Sequence, residues 1–455
     1  MINQLQDASS EQDFDCTGNY MQDATTAADD FIKVEDSRFP PSTDGSDVDL
    51  LKKLERMRKA DKKRLVRHEA AVKVGTLGRQ KMTTRACMGS AGFRICAAVD
   101  ANKKLVREKR RSLSELFEMA SGLGWSKSLD EESALRRRNK PGGGKRPYFD
   151  FEIGNRTRFK ALSRLYSPFF VAAPFQYHDR GKGHGGGVSL AIRELRKALI
   201  ANPWVIHLDI KDFFPSFTED GIRQLVPLLG RMAPHAMGDH LVNVVLKDAQ
   251  SHESISHIIS QARKGGPQGS AFVSLLSMII VSRVTWESSP PLFNMFDNFL
   301  IVGPTKEAVL EAADTLIAKV SALPGGDFKL HEKSFGHVSD GFEFLGHDLR
   351  MNDQGKIEIE PTTINELLGR LEPLFAKLKA KAGMGNKPKA VRVMGEIWCL
   401  TRSWTKIFRE CDDAGFWLDQ VKSDLEPIRQ KFGITWKEMN AFRPPGATWK
   451  GWYGS

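Results

Sequence analysis

The chain changes its hydrophobic period near residue 200. Upstream, apolar positions recur three and four apart. LLKKLERMRKADKKRLVRHEA sets Leu50, Leu51, Leu54, Met57 and Leu65 along one side of a helix whose other positions are mostly lysine and arginine. Ser112 and Glu115 stand just ahead of LFEMA at the spacing of a capping box and mark another helix start. RRRNKPGGGKRPYFDF predicts two basic strands around a turn at residues 141–144. Between residues 202 and 346 the period shortens. WVIHLDI (204–210) is apolar and β-branched, hence a buried strand; LFNMF and FLIV flank Asp297 and Asn298 as a hairpin; GFEFLGHDLR (341–350) predicts a second hairpin. EAVLEAADTLIAKV (307–320) reads as an amphipathic helix between the hairpins, and SLAIRELRKALI as a helix after the glycine-rich GKGHGGG. Beyond Pro361, INELLGRLEPLFAKLKAKAG and KAVRVMGEIWCLTRSWTKIF are helical and basic, with Trp398, Trp404 and Trp417 among apolar neighbours as helix core.

Composition alters this picture little. The 455 residues are 41% hydrophobic and 27% charged, with room for two or three packed units. No run reaches the roughly 18 apolar residues of a membrane helix, so the expectation is a soluble protein with no membrane partner. MINQLQDASSEQDFD lacks the basic start and apolar core of a secretory signal. Cys16, Cys87, Cys96, Cys399 and Cys411 are scattered, which argues for a reducing, cytoplasmic setting and against a disulfide framework or zinc site. Charge alters the picture more. Of a net +11, residues 1–50 carry about −10, with twelve acidic residues against Lys33 and Arg38, leaving the rest near +21. A body so basic suits nucleic acid, although excess charge also serves solubility alone.

Three stretches carry candidate chemistry. In HLDIKDFFPSF (207–217) the strand delivers Asp209 to its end, and Pro215 limits its continuation. A carboxylate there offers hard oxygens to Mg²⁺, and a solvated strand end accounts for it equally well. Asp212 reads as structural or solvent-facing. Asp297, 88 residues after Asp209, falls in a tight turn whose positive φ Asp and Asn tolerate, so turn chemistry alone also explains the Asp297-Asn298 pair. If that hairpin pairs beside the Asp209 strand, both carboxylates meet at one end of a sheet. Two cations about 3.5–4 Å apart could there activate a 3′-hydroxyl and stabilise a leaving pyrophosphate. Between the two, RKGGPQGSAFVSLLSMII (263–280) is a polar loop and then a helix with Phe272, Leu275, Leu276 and Ile279 as its buried stripe. Its glycines would let backbone approach a base pair, with Gln268 placed to hydrogen-bond an incoming nucleotide. Neither this loop nor GKGHGGG fits the G-x-x-x-x-G-K-[ST] phosphate loop.

LDIKDFF, GGPQGSAFVS, MFDN, FKLHEKS and GFEFLG, in that order, resemble the successive palm motifs of reverse transcriptases, most closely the bacterial group that includes group II intron, retron and diversity-generating enzymes. The resemblance covers residues 136–350, with a weaker thumb-like continuation to about 430. It implies an α+β right-hand polymerase with fingers, an antiparallel-sheet palm and a helical thumb. The divisions are an acidic disordered tail over 1–48, a basic helical extension over 49–135, fingers and palm over 136–355, and thumb and C-terminal tail over 356–455. The implied activity is RNA-directed DNA polymerisation: dNTP addition to a nucleic-acid primer on an RNA template by two-metal phosphoryl transfer with Mg²⁺ or Mn²⁺.

Carried over residue by residue, the resemblance makes Asp209 and Asp297 the catalytic, metal-binding carboxylates, with Asn298 as a further ligand position. Phe214 takes the place of the aromatic beneath the sugar that excludes a 2′-hydroxyl, and Gln268, Gly269 and Ser270 shape the nucleotide pocket. Arg146, and less directly Lys145 and Lys160, match cations that hold triphosphate, or else belong to a solvated basic hairpin. Lys333 matches a lysine near the triphosphate, or is a surface lysine. Phe342, Leu345 and Gly346 belong to the primer-grip hairpin. Lys377, Lys379 and Lys381 would track duplex phosphates, or form a solvated face. The sequence departs from the family at its most diagnostic box: Met295-Phe296-Asp297-Asn298 stands where Tyr-x-Asp-Asp is expected. Two alternatives therefore stay open. One is a catalytically silent nucleic-acid-binding protein. The other is an RNA-dependent RNA polymerase, against which the bulky, apolar Phe214 argues. Phage defence, retron synthesis and diversification all remain open as roles.

Overall fold

The computed structural model describes residues 47–105, 109–125, 131, 133–139, 145–177, 187–225, 244–246, 265–287 and 289–441. The acidic segment 1–46, the 141–144 turn and most of GKGHGGG lie outside them. The architecture mixes helices with small, mainly antiparallel sheets.

Among the described residues four helices come first: α1 (Asp47–Val74), α2 (Leu77–Met88), α3 (Ala91–Asn102) and α4 (Leu113–Gly122). Leu54 of α1, Ile95 and Val99 of α3, and Leu113, Leu116 and Phe117 of α4 form a common core, closed from beyond by Ile153. The capping box forms as the sequence predicts: Ser112 accepts from the Glu115 amide, and the Glu115 carboxylate accepts from the Ser112 amide. Two polar contacts tie α1 to the body. Buried His68 sets Nε2 2.8 Å from the Leu165 carbonyl, and buried Asp61 pairs with Arg164.

Strands β1 (Ser133–Asn139) and β2 (Lys145–Asp150) pair antiparallel, with Arg138 opposite Arg146, and lead into helices α5 (Ile153–Tyr166) and α6 (Gly187–Ala201). Then follow β3 (Trp204–Ile210), α7 (Glu219–Leu225), β4 (Val244–Leu246) parallel to β1, α8 (Ala271–Val281), β5 (Leu292–Met295), β6 (Asn298–Gly303), α9 (Lys306–Ser321) and β7 (Leu330–His337). Strands β5, β6, β3 and β7, in that order, make a four-stranded antiparallel sheet. A three-stranded sheet, β8 (Phe342–Phe344), β9 (His347–Met351) and β10 (Ile357–Pro361), precedes the helices α10 (Ile364–Gly383), α11 (Lys387–Ile407), α12 (Ala414–Phe432) and α13 (Trp436–Ala441).

The period-two alternation of β3 divides the molecule between two cores. Ile206, Leu208 and Ile210, with Phe299 and Ile301 from β6, face the core built with α5, α8 and α9. Val205, with Leu300 and Val302, faces the other, built with α6, β8 to β10 and the last helices. His207 and Asp209 continue that second face toward the strand end. Helix α8 is buried beyond its predicted stripe, since Val273, Met278, Ile280 and Val281 are also covered. Trp398 and Trp404 are buried in the second core and Trp417 packs at its margin, as their spacing predicts.

Candidate active site

Register sets the two candidate carboxylates at the same end of the sheet. Asp209 pairs with Asn298 across β3 and β6, and the Ile210 amide donates to the Asp297 carbonyl at 3.0 Å. Both acids therefore stand at the same end of the same two strands. Asp209 Oδ1 is buried and has no hydrogen-bond partner among the described residues. A buried, unsatisfied carboxylate oxygen is costly, and it is what a ligand position for a hard cation looks like when protein atoms alone are counted. No cluster of three or more potential ligands from His, Cys, Asp and Glu occurs among the described residues. Two carboxylates still fit Mg²⁺, which commonly draws its other oxygens from water and substrate phosphates.

Lys333 reaches this pair through a bulge. Glu332 lies opposite Leu208 and Ser334 opposite His207, so Lys333 is the extra residue on β7. Such an insertion re-aims a side chain. Here it sends the ammonium to 2.7 Å from Asp209 Oδ2 and 2.9 Å from Asn298 Oδ1. Asn298 Oδ1 also lies 3.1 Å from His207 Nε2, while its Nδ2 donates to Asp297 Oδ1 at 3.0 Å. Burial pushes the His207 imidazole down to about 4, and Lys333 pushes the same way against the opposing Asn298 contact and Asp209 charge. Its ring stacks edge-on against Phe344 at 5.4 Å.

The turn itself corrects one expectation. Positive φ falls on Phe296, at +56°, and not on Asp297 or Asn298. That is a strained conformation for a bulky residue. Asn294, two residues upstream and 1% exposed, holds it: its Nδ2 donates to the carbonyls of Phe296 at 3.0 Å and Asn298 at 2.9 Å. The backbone of Asn294 meanwhile joins the Phe175–Tyr177 segment, accepting from the Tyr177 amide and donating to the Phe175 carbonyl.

The GGPQGS loop is held against its own protein. An added Cβ on Gly265 would come within 2.0 Å of the Phe214 carbonyl oxygen, and one on Gly269, at φ +103°, within 2.5 Å of the Phe149 carbonyl oxygen. Internal packing thus accounts for these glycines before any nucleotide is considered. The Gly266 amide donates to the Phe214 carbonyl at 2.8 Å, and the Gln268 carbonyl accepts from the Phe149 amide at 2.9 Å, linking the loop to both β2 and the turn after β3. Ser270 caps α8 by accepting from the Val273 amide. Phe214 packs beside Phe213 and edge-on to Phe217, half-buried on a rigid aromatic base.

The remaining candidates are spread more widely. Lys145 and Arg146 lie on β2, and Lys160 on α5. Phe342 begins β8; Leu345 and Gly346 form the two-residue turn into β9, with φ of +52° and +76°. Exposed Lys377 and Lys379, with half-buried Lys381, lie on α10. The sequence reading passed over His207 and Asn294. Each carried a signal: His207 is two residues from Asp209 and so on its face, and Asn294 is an amide inside an apolar strand.

No protein-family model and no curated protein matches the chain. Solved structures it resembles include telomerase from Candida albicans in complex with a fragment of telomeric RNA, 13% identical over 70% of this chain with a TM-score of 0.31. Another is the RNA-dependent RNA polymerase from bacteriophage phi12, 11% identical over 82% with a TM-score of 0.34. The chain covers 62% and 63% of those two proteins' lengths, under two thirds of each. Likenesses at that level carry no argument about this chain.

Proposed function

We propose that the protein is an RNA-directed DNA polymerase of right-hand form. In this reading the four-stranded sheet is the palm, β1 and β2 belong to the fingers, and α10 to α13 form the thumb. One observation carries the reading: Asp209 stands opposite Asn298 at one sheet end, with Asp297 the residue just before it in the turn, and an oxygen of Asp209 is buried and unpartnered.

In the reaction the primer 3′-oxygen bonds to the α-phosphorus of a dNTP, the bond to pyrophosphate breaks, and the hydroxyl proton leaves to solvent. Bound Mg²⁺ or Mn²⁺ would supply Lewis-acid stabilisation of the attacking and leaving oxygens through Asp209 and Asp297. Lys333 neutralises one oxygen of Asp209 and stands where a cation can face triphosphate charge. Phe214, fixed by its neighbours and by the Gly266 amide, leaves no polar group for a 2′-hydroxyl, which favours dNTPs over rNTPs.

The test is extension of a DNA primer on an RNA template by the purified protein with Mg²⁺ or Mn²⁺. Asp209→Ala should lower incorporation at least on the order of 10²–10³-fold. No incorporation with either metal, or equal incorporation by the variant, overturns the proposal. A catalytically silent nucleic-acid binder is the second reading, favoured by the amide at Asn298 and the ion pair that engages Asp209. Salt-sensitive RNA binding without synthesis would establish it.

A further inference from the structure

The partners of Asn298 fix its orientation. Lys333 has only protons to offer and the Asp297 carboxylate accepts only, so oxygen must face Lys333 and nitrogen must face Asp297. His207 Nε2 faces that same oxygen, so it carries the proton where this contact forms; the ring's other polar neighbour is the backbone of Glu343. Two donors then fill the lone pairs of Asn298 Oδ1. The amide has no oxygen to spare for a cation, and its nitrogen cannot bind one.

We propose that His207 is a positioning residue: its Nε2–H, with Lys333, locks the Asn298 amide so that Asn298 holds the Asp297 carboxylate in place instead of ligating a cation. The proposal builds on the assignment of Asp209 and Asp297 as cation-binding carboxylates, and it extends that assignment by removing Asn298 from the ligand set. His207 suits the task. It is 8% exposed, stacked edge-on against Phe344, and two residues from Asp209 on the same strand face, so its ring has little freedom to turn away. The amide turns a charge conflict into a contact. A carboxylate at 298 would set a second negative oxygen against Asp297, whereas the amide donates a proton there. Outer-shell partners of this kind are worth roughly 10–100-fold in metal affinity.

Two measurements on the full chain test this. The first uses protein labelled with ¹⁵N-asparagine, the Asn298 side-chain signal being assigned by its loss in Asn298→Ala. The wild-type amide should show two widely separated protons, one slow to exchange. His207→Leu should bring them together and speed exchange, and His207→Gln, which can still donate, should restore the pattern. Free-amide shifts and fast exchange in the wild type, or an unchanged signal in His207→Leu, overturn the proposal. The second measures Mn²⁺ affinity without substrates. Asn298→Ala and His207→Leu should each weaken binding about tenfold, and the double variant no more than either alone, because both act through Asp297. A loss in Asn298→Ala with none in His207→Leu would make Asn298 an independent ligand and overturn the proposal. Absence of Mn²⁺ binding in the wild type would instead count against the polymerase reading, and the amide signal would still decide the role of His207.

Discussion

Two hairpin turns lie near the same site and solve one problem differently. Both have two-residue loops: Phe296-Asp297 between β5 and β6, and Leu345-Gly346 between β8 and β9. In the second, both residues have positive φ, the geometry that suits right-twisted strands, and glycine fills the second place without strain. In the first, that second place belongs to an acid. Only Phe296 turns left-handed, and buried Asn294 supplies through its side chain what glycine supplies through freedom. The second turn has a lighter tether, with Thr362 donating to the Gly346 carbonyl through its amide at 3.0 Å and its hydroxyl at 3.1 Å. A turn with an acid in that place does without the easy residue and takes a buried amide as support.

The sharpest way to break the comparison is to exchange the second residue of the first turn. Asp297→Asn keeps size and turn propensity but removes the charge, and converts the contact with Asn298 from amide–carboxylate to amide–amide. Under the proposed polymerase function, primer extension should fall on the order of 10²–10³-fold or more, while the midpoint of urea denaturation shifts by less than about 1 kcal/mol equivalent. Parallel loss of stability and activity would make Asp297 a structural residue.

Acid probes both turns next, since His207 beside the first and His347 beside the second are each held down to about 4. His347, beside the second turn, is wholly buried against Phe408, with its Nδ1 on the Leu345 carbonyl at 2.9 Å and its Nε2 lacking a hydrogen-bond partner among the described residues. Burial holds this imidazole down to about 4, against an ordinary 6.5. Above pH 6.5 the ring is neutral whether the chain is folded or unfolded, and nothing is lost. As pH falls below 6.5, the unfolded chain takes up a proton that the folded hairpin resists, until pH nears 4. Stability should drop by up to about 1.4 kcal/mol per pH unit, or about 2 kcal/mol between pH 7 and pH 5. Denaturation curves across that range should show the slope, and His347→Phe should remove this histidine's share of it.

The tethers come third. Asn294→Leu removes a side-chain donor from the Phe296 and Asn298 carbonyls and should cost about 2 kcal/mol. Thr362→Val removes one of two donors to the Gly346 carbonyl and should cost about 1 kcal/mol or less. Equal costs would show that the first turn does not depend on its amide.

These contrasts also mark what the sequence makes legible. Both hairpins, β3, the Ser112 cap and the basic helices follow from hydrophobic period and turn residues, because those are local and repeat along the chain. The convergence of Asp209 and Asp297 needs β3 to pair beside β6, which hydrophobic pattern permits and the motif order points to. Register within β7 has no such local signature. One residue's slip decides whether Lys333 points at Asp209 or away, and nothing in FKLHEKS announces the bulge. Positive φ went to the wrong residue for a related reason: turn statistics favour Asp and Asn, but here hydrogen bonds from Asn294 set the backbone and leave the strain on Phe296. Where a side chain makes its decisive contact outside its own segment, composition is silent.

The smallest effect isolates backbone cost alone. Gly346 has φ +76°, and an added Cβ there would meet nothing closer than 3.7 Å, from Thr362 Oγ1. Space is therefore no obstacle, and Gly346→Ala tests only the left-handed conformation, worth roughly 1 kcal/mol. Gly269 is the contrasting control, since its added Cβ meets the Phe149 carbonyl oxygen at 2.5 Å and backbone would have to move. If urea denaturation finds Gly346→Ala about 1 kcal/mol less stable and Gly269→Ala clearly worse, then conformation limits the turn and close packing limits the loop. If the two costs match, the loop has room to yield, and its glycines would be better explained by what approaches from outside.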